Sequence, residues 1–226
     1  MTEPTPRQAA FDILRRVDQG SFSDLALDSV IRQHPRMDAR DRGLLTEMVY
    51  GLLRQRGRID YALQRFCKKT LNKVEQDVLL LLRLGAYQVM QLDRVPDRAA
   101  VHETVELAKR NGLGRAAGFI NGVLRSLVRQ KDSIRWPEAK DNPLEHLQHA
   151  LSLPPWLARR LLRELGAEEA CALGAQLLQA PPQTLRVNTL KTTRQDFLDA
   201  LEAAEIGASA TRYAPEGVTL RDARRD

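Results

Sequence analysis

Residues 78–84 form a nearly continuous apolar stretch inside a pattern that predicts a helix over about 72–91. The stretch holds Val78 and five leucines, and only Arg83 interrupts it, so almost no polar side faces solvent. A helix that is apolar on every side is normally buried among other helices. It is also well short of the ~20 apolar residues that span a bilayer. We therefore expect this helix at the centre of a bundle, and we expect no membrane span.

Helical spacing of apolar residues extends from the start of the chain to about residue 130. Thr5 is a candidate N-cap, with Pro6 at the first helical position and Gln8 placed to complete a capping box. In the last helix of this region, Gly118 and Gly122 lie four residues apart, and we expect another backbone to approach closely there. Seven helices with short connections predict an all-α domain over residues 1–135.

The chain after residue 135 changes character. Proline residues punctuate residues 136–155, which predicts a connector between domains. Beyond it, two predicted helices are separated at Gly166, and residues 185–189 then alternate apolar and polar positions as a strand does. A further helix and short β-like pieces near 210–213 and 218–220 predict a small α/β domain over residues 156–226 that looks incomplete. The predicted fold class is thus mainly α, a helical bundle followed by an incomplete α/β domain.

Positive charge is concentrated in the first part of the chain. Residues 1–136 hold 24 Lys and Arg against 16 Asp and Glu, net +8, whereas the remainder is net −2. A small basic body attracts phosphate backbones, because each neutralised phosphate releases counterions. Aromatic residues make up only 5% of the chain, which argues against base stacking on a wide aromatic platform. The composition favours structured RNA recognised through its backbone, and for any one arginine an ordinary solvated helix face is the alternative.

The densest basic patch is the turn at Arg54, Arg56 and Arg58, which we expect to join two helices and lie open to solvent. Two more candidates lie on the polar side of the predicted strand, where an ordinary solvated strand face is the alternative. The full set of candidate RNA-binding residues is Arg7, Arg15, Arg16, Arg42, Arg54, Arg56, Arg58, Arg186 and Asn188.

The search for catalytic, cofactor-binding or metal-binding residues is negative. Gly112-Leu113-Gly114 follows a helix rather than a strand, which predicts a turn between helices and not a nucleotide site. His146 and His149 have helical spacing but no third ligand. Cys67 and Cys171 form no spaced set and fit buried small hydrophobes in a reducing compartment. The polar start of the chain has no signal-peptide core, so we expect a cytoplasmic protein.

Four blocks, in order, resemble the signatures of the NusB-like RNA-binding domain. They are DRGLLTEMVYGLLR at 41–54, LRLGAYQ at 82–88, VHETVELAK at 101–109 and FINGVLR at 119–125. The resemblance implies an all-helical bundle that binds RNA, in agreement with the patterning above.

Two kinds of protein carry this domain, and the segment after residue 150 discriminates between them. LPPWL at 153–157 and LRVNTLK at 185–191 resemble the second domain of the RsmB (Sun, Fmu) ribosomal RNA methyltransferases. This resemblance implies small-subunit ribosomal RNA as partner, neither DNA nor a membrane, and S-adenosylmethionine as the methyl donor for cytosine carbon 5. A stand-alone antitermination factor of the NusB type is the alternative. The pattern leaves the oligomeric state open.

The catalytic half of that family would begin just beyond Asp226. Its glycine loop and its Pro-Cys and Thr-Cys motifs have no counterpart here, because Cys67 follows Phe66 and Cys171 follows Ala170. We therefore expect either a fragment of a longer enzyme or a truncated reading frame, and we expect the chain alone to bind RNA without methylating it.

Overall fold

The structure is a computed structural model that describes residues 3–221. Helices dominate it, and a small antiparallel sheet lies near the end, which confirms the predicted mainly α fold class. The helices are α1 (Pro6–Asp18), α2 (Ser23–Gln33), α3 (Ala39–Arg54), α4 (Arg56–Gln64), α5 (Gln76–Gln91), α6 (Asp97–Arg110), α7 (Ala117–Gln130), α8 (Pro143–Glu145), α9 (Pro155–Leu178) and α10 (Arg194–Ala203). The strands are β1 (Thr184–Arg186), β2 (Ala208–Ala210) and β3 (Gly217–Leu220).

Helix α5 is the central element of the bundle. Every residue from Val78 to Val89 is buried, including the polar Arg83 and Gln88. Helices α1, α3, α4, α6 and α7 all contact it. The prediction of a central helix is therefore confirmed, although the helix begins at Gln76, because residues 71–73 form a separate 3-10 turn.

The first helix begins where its cap predicts. Thr5 Oγ1 accepts a hydrogen bond from the backbone nitrogen of Gln8 at 3.3 Å, and Pro6 occupies the first turn. The Gln8 side chain does not return to the cap as a capping box requires. Its Nε2 instead donates to Asp12 at 3.0 Å and to Asn111 at 3.2 Å, which ties α1 to the end of α6.

Close helix packing occurs at other glycines than expected. A Cβ on Gly51 would overlap the phenol of Tyr87, and one on Gly85 would lie 2.5 Å from Leu124 Cδ1. A Cβ on Gly118 or Gly122 would meet no atom within 4 Å. The expectation of a backbone against Gly118 and Gly122 is wrong, because their side of α7 faces open space.

Residues 144–171 add a second, smaller apolar cluster to the first compact unit. Leu147, Leu153, Ala158 and Ala170 form its buried centre. Gly166, at φ +77°, breaks α9 where the sequence predicts a helix end. Along the chain, the first compact unit ends at Leu178 and the second begins at Gln179. The sequence predicts domain boundaries after residue 135 and after residue 155. Part of the predicted connector, residues 146–152, packs against α4. The sequence-based domain boundaries remain predictions.

The second compact unit contains the sheet and α10. Its strand order is β1-β3-β2, with β3 antiparallel to both neighbours, and α10 packs against β2 and β3. The first predicted strand ends earlier than the alternation suggests, at Arg186. The last five residues of the predicted domain 156–226 lie outside the described residues, as do the first two residues of the chain.

Candidate nucleic-acid interface

The turn between α3 and α4 is not the open basic patch that the sequence predicts. Only Gln55 separates the two helices. Arg56 Nη1 lies 2.7 Å from Asp18 Oδ1, and the Asp18 side chain is only 7% exposed. Arg56 therefore joins α4 to the end of α1, while 38% of its own side chain remains exposed.

Arg58 is buried more deeply and also has internal partners. Its guanidinium lies over the ring of Trp136, 4.5 Å from the centroid, and Nη1 donates to the carbonyl of Ala150 at 3.2 Å. Burial lowers the pKa of Arg58 from its ordinary value, and its Nε has no hydrogen-bond partner among the described residues. The expectation that this turn lies open to solvent is wrong at Arg58, because Trp136 and Ala150 cover its side chain. Arg56 is paired with Asp18 but stays partly exposed.

The backbone beside Arg58 is anchored as well. The amides of Gly57 and Arg58 donate to Ser152 Oγ at 2.9 and 3.4 Å. Ser152 has φ +59°, and a Cβ on Gly57 would lie 2.7 Å from the carbonyl oxygen of Gln148. Gly57 therefore permits the close approach of residues 148–152 to α4.

An aromatic contact strengthens this junction. The Tyr61 ring lies 5.4 Å from Trp136 and stacks on His149 at 4.8 Å, measured between centroids. Together with Arg58, these rings fix the start and the end of the predicted connector against the same helix.

The arginines of α1 divide into paired and free side chains. Arg7 Nε donates to Gln88 Oε1 at 2.7 Å. Arg15 is exposed, and its side chain lies 3.5 Å from Asp12 and 3.9 Å from Asp77. Arg16 is exposed, and its side chain has no ion pair or hydrogen bond with another described residue.

Arg42 and Arg54 lie at opposite ends of α3. Arg42 Nη2 donates to the carbonyl of Pro35 at 2.7 Å, and its Nε is buried without a described partner. Arg54 is partly exposed, and none of the described acidic residues pairs with it. Among the predicted residues of the bundle, Arg16 and Arg54 are thus the ones whose side chains have no ion pair or hydrogen bond with another described residue.

The two candidates in the second unit occupy different environments. Arg186 is exposed at the end of β1. Asn188 lies after the strand, where its Oδ1 accepts a hydrogen bond from the backbone nitrogen of Leu190 at 3.1 Å. The expectation that Asn188 lies on a strand face is wrong, because this side chain forms a turn.

A basic groove that the sequence analysis missed lies beside α7. We call it the lysine groove; its volume is about 600 Å³. One wall is formed by residues 66–78 and carries Lys68, Lys69 and Lys73, and the other wall is formed by residues 118–126 of α7. In the sequence, the adjacent Lys68 and Lys69 are the signal that indicates a basic surface here. Only the packing of α7 places these lysines opposite Phe119.

The described residues do not form a site for a methyl donor. Gly112, at φ +76°, ends α6 and leads through a 3-10 turn into α7, so it does not follow a strand as a nucleotide-binding glycine does. Burial raises the pKa of the Cys67 and Cys171 thiols, which disfavours a nucleophilic thiolate at either position. Within residues 3–221, no cluster of His, Cys, Asp and Glu side chains could hold a metal ion. No helix in this range is long and apolar enough to span a membrane.

Two family matches divide the chain in order. Residues 4–129 match the NusB family. Residues 153–225 match the ferredoxin-like domain of RsmF/B-like methyltransferases.

Similar proteins carry methyltransferase names. The chain is 38% identical over 221 residues to the probable ribosomal RNA small subunit methyltransferase B of Bacillus subtilis, covering 97% of this chain and 48% of the relative. It is 33% identical over 215 residues to the protein of the same name from Synechocystis, covering 95% of this chain and 48% of that one. The ribosomal RNA small subunit methyltransferase B of Pseudomonas putida is 33% identical over 218 residues, or 96% of this chain and 48% of the relative. The chain spans about half the length of these relatives.

A solved structure supports the arrangement of elements. "Crystal Structure of PH0851" matches 98% of this chain and 49% of that chain, with a TM-score of 0.64 and 20% sequence identity. At this identity, the match shows a shared fold.

Proposed function

Because this chain belongs to the NusB family, we propose that it is the RNA-binding region of a small-subunit ribosomal RNA (cytosine-5) methyltransferase. The observation that carries the proposal is the order of the two matched domains, a NusB-like bundle followed by a methyltransferase-type ferredoxin-like domain. The stand-alone antitermination factor has no comparable support, since the similar proteins named above are methyltransferases.

The chain's part in this function is to hold the RNA. Neutralising a phosphate with an arginine or lysine releases counterions and strengthens binding at low salt. Arg16 and Arg54 have side chains without ion pairs to described residues, and Arg15 is exposed beside its two acidic neighbours. Arg7, Arg42, Arg56 and Arg58 contribute through internal contacts that hold the bundle in shape, and Arg186 adds an exposed charge in the second unit.

The methyl donor of the proposed reaction is S-adenosylmethionine, which supplies the methyl group. The described residues of this chain do not fit that cofactor, so no catalytic step is assigned to them. The proposal places the protein in the cytoplasm with small-subunit ribosomal RNA as its partner. In that setting the residues described here position the RNA, and the methyl transfer is assigned to the half of the relatives that lies outside the matched residues.

Filter binding of the 226-residue chain tests the proposal. The ligands are an unmodified small-subunit ribosomal RNA transcript, a large-subunit transcript and duplex DNA of similar length, each measured at several salt concentrations. Preferential binding to the small-subunit transcript is expected. Equal affinity for all three ligands, or preference for a short leader RNA from a ribosomal operon over the small-subunit transcript, would contradict it.

A further inference from the structure

The lysine groove combines three exposed cations with little opposing charge. Lys68, Lys69 and Lys73 are exposed, and no ion pair joins their ammonium groups to an acidic side chain within the described range. Glu75 is the acidic residue on the described groove wall. A concave surface with net positive charge concentrates anions, and polyanions most strongly.

An exposed aromatic ring lies in the same groove. Phe119 is 42% exposed, although its neighbour Ile120 is fully buried in the bundle. Val74, Val78 and Val123 also line the groove. A protein surface that offers a phenylalanine ring beside cations suits a ligand with both a flat apolar face and negative charge.

The floor of the groove is open down to the backbone of α7. Gly118 and Gly122 are exposed, and a Cβ at either position would meet no atom within 4 Å. Internal packing therefore does not require glycine at these positions, in contrast to Gly51 and Gly85. Side chains here would instead occupy the space between Phe119 and the lysines.

From this arrangement we infer that the lysine groove binds an unpaired segment of RNA, with one base stacked on Phe119 and the adjoining phosphates held by Lys68, Lys69 and Lys73. The inference rests on the proposed function and deepens it, because it names the form of RNA that the bundle holds. Stacking on one ring tolerates any base, and lysines contact phosphates as point charges. The groove therefore recognises single-stranded character and not sequence. A paired RNA helix does not satisfy it, because its bases are already stacked.

Fluorescence anisotropy tests the inference with the 226-residue chain and a labelled 12-nucleotide RNA of mixed sequence, either single-stranded or annealed to its complement. The charge variant is Lys68→Gln, Lys69→Gln and Lys73→Gln together, and the stacking variant is Phe119→Ser. The filling variant, Gly122→Gln, adds a neutral side chain to the groove floor and removes no charge. The matched control, Lys140→Gln, Arg159→Gln and Arg163→Gln together, removes three exposed cations elsewhere.

The charge variant is expected to reduce the slope of log affinity against log salt by about 2, at about 0.7 for each single-strand phosphate contact. The stacking variant is expected to bind single-stranded RNA roughly tenfold more weakly and to leave duplex binding unchanged. Weaker RNA binding by the filling variant, with an unfolding midpoint no lower than that of the parent chain, identifies the groove itself as the site. The control is expected to retain the affinity of the parent chain for the single strand.

The outcomes separate this inference from the proposed function. If the parent chain binds neither single-stranded nor small-subunit ribosomal RNA, the proposed function fails. If the parent chain binds RNA and the three groove variants bind it equally well, the groove assignment alone is overturned. If the same variants lose binding to a poly-glutamate peptide and bind RNA unchanged, the assignment of the groove to RNA is also overturned. The ligand of the groove would then be an acidic protein segment.

Discussion

The backbone of Gly51 lies directly against the phenol of Tyr87, so that a Cβ at position 51 would overlap the Oη and Cζ atoms of the tyrosine. Tyr87 is 1% exposed, and its hydroxyl donates to Glu47 Oε1 at 2.5 Å. Helices α3 and α5 thus meet at a point where one residue has no side chain and the other fills the space. Two of the sequence blocks that resemble the NusB-like domain contribute these residues, Gly51 from the first and Tyr87 from the second.

Gly51→Ala is expected to destabilise the chain by about 1–3 kcal/mol, because the added methyl group forces Tyr87 or the helix backbone to move. Gly122→Ala is the matched control. It adds the same methyl group in open space within a helix, where alanine is favoured over glycine by about 0.5–1 kcal/mol. Urea unfolding of both variants measures the difference. Equal urea midpoints for the two variants would show that the contact between α3 and α5 accommodates the added methyl group without loss of stability.

The ion pair between Arg83 and Asp60 gives a second prediction. Two parallel hydrogen bonds of 2.7 and 2.8 Å join them, and the Arg83 side chain is 9% exposed. Asp60→Ala leaves a buried guanidinium unpaired and is expected to cost about 2–3 kcal/mol, below the ~3–5 kcal/mol typical of fully buried pairs, because Asp60 is partly exposed. Asp28→Ala, which breaks the exposed pair with Arg32, is expected to cost less than about 0.5 kcal/mol. Chemical denaturation of both variants checks the ranking.

Substitutions at Arg54 and Arg58 are predicted to have different effects, one on RNA binding and the other on stability. Arg54→Gln removes a charge that has no described acidic partner, so the salt slope of RNA binding should fall by about 0.7–0.9 with an unchanged melting temperature. Arg58→Gln removes the contacts with Trp136 and Ala150 and should lower the melting temperature. It should also expose residues 136–155 to limited proteolysis. The reverse pattern, with Arg58→Gln altering only the salt slope, would show that Arg58 is available to ligand.

The cysteines give a prediction that depends on pH. Burial raises the pKa of both thiols above the ordinary value of 9.0, and Cys67 is the more buried of the two. At pH 8 iodoacetamide is expected to modify Cys171 faster than Cys67, and both more slowly than a free cysteine, as followed by mass spectrometry.

The sign of the stability effect follows from the same shift. The folded state favours the neutral thiol, so this contribution is complete below the unfolded pKa. It is lost as the pH rises from that value through the raised folded pKa. Cys67→Ala should therefore lessen the decline of stability above pH 9. If the stability of the variant and of the parent chain declines equally above pH 9, the decline is due to other titrating groups.

The elements of the bundle could be predicted because their signals are local. The Thr5 cap, the apolar faces and the run from Val78 to Leu84 each depend on residues within a few turns of one another. The break at Gly166 was predictable for the same reason. The first strand is shorter than its alternating pattern predicts, because the turn made by the Asn188 side chain competes with the extended conformation.

The roles of the arginines and glycines could not be predicted, because their partners are distant in sequence. Asp18 lies 38 residues from Arg56, and Ala150 lies 92 residues from Arg58. Gly51 and Gly118 look alike in a helical pattern, but only the folded bundle places a side chain against the first. The lysine groove could not be predicted either, because its two walls come together only when α7 packs onto α5.

The burial of α5 from Val78 to Val89 has a consequence for sequence variation in this protein. An ordinary surface helix tolerates substitutions at intervals, since its solvent-facing positions recur with each turn. From Val78 to Val89 no position faces solvent, because all twelve residues are buried. A saturation mutagenesis profile of this segment should therefore show an unbroken block of intolerance instead of a wave with a period of 3.6 residues. Variation across this segment is then restricted to concerted changes in which a neighbouring helix alters at the same time.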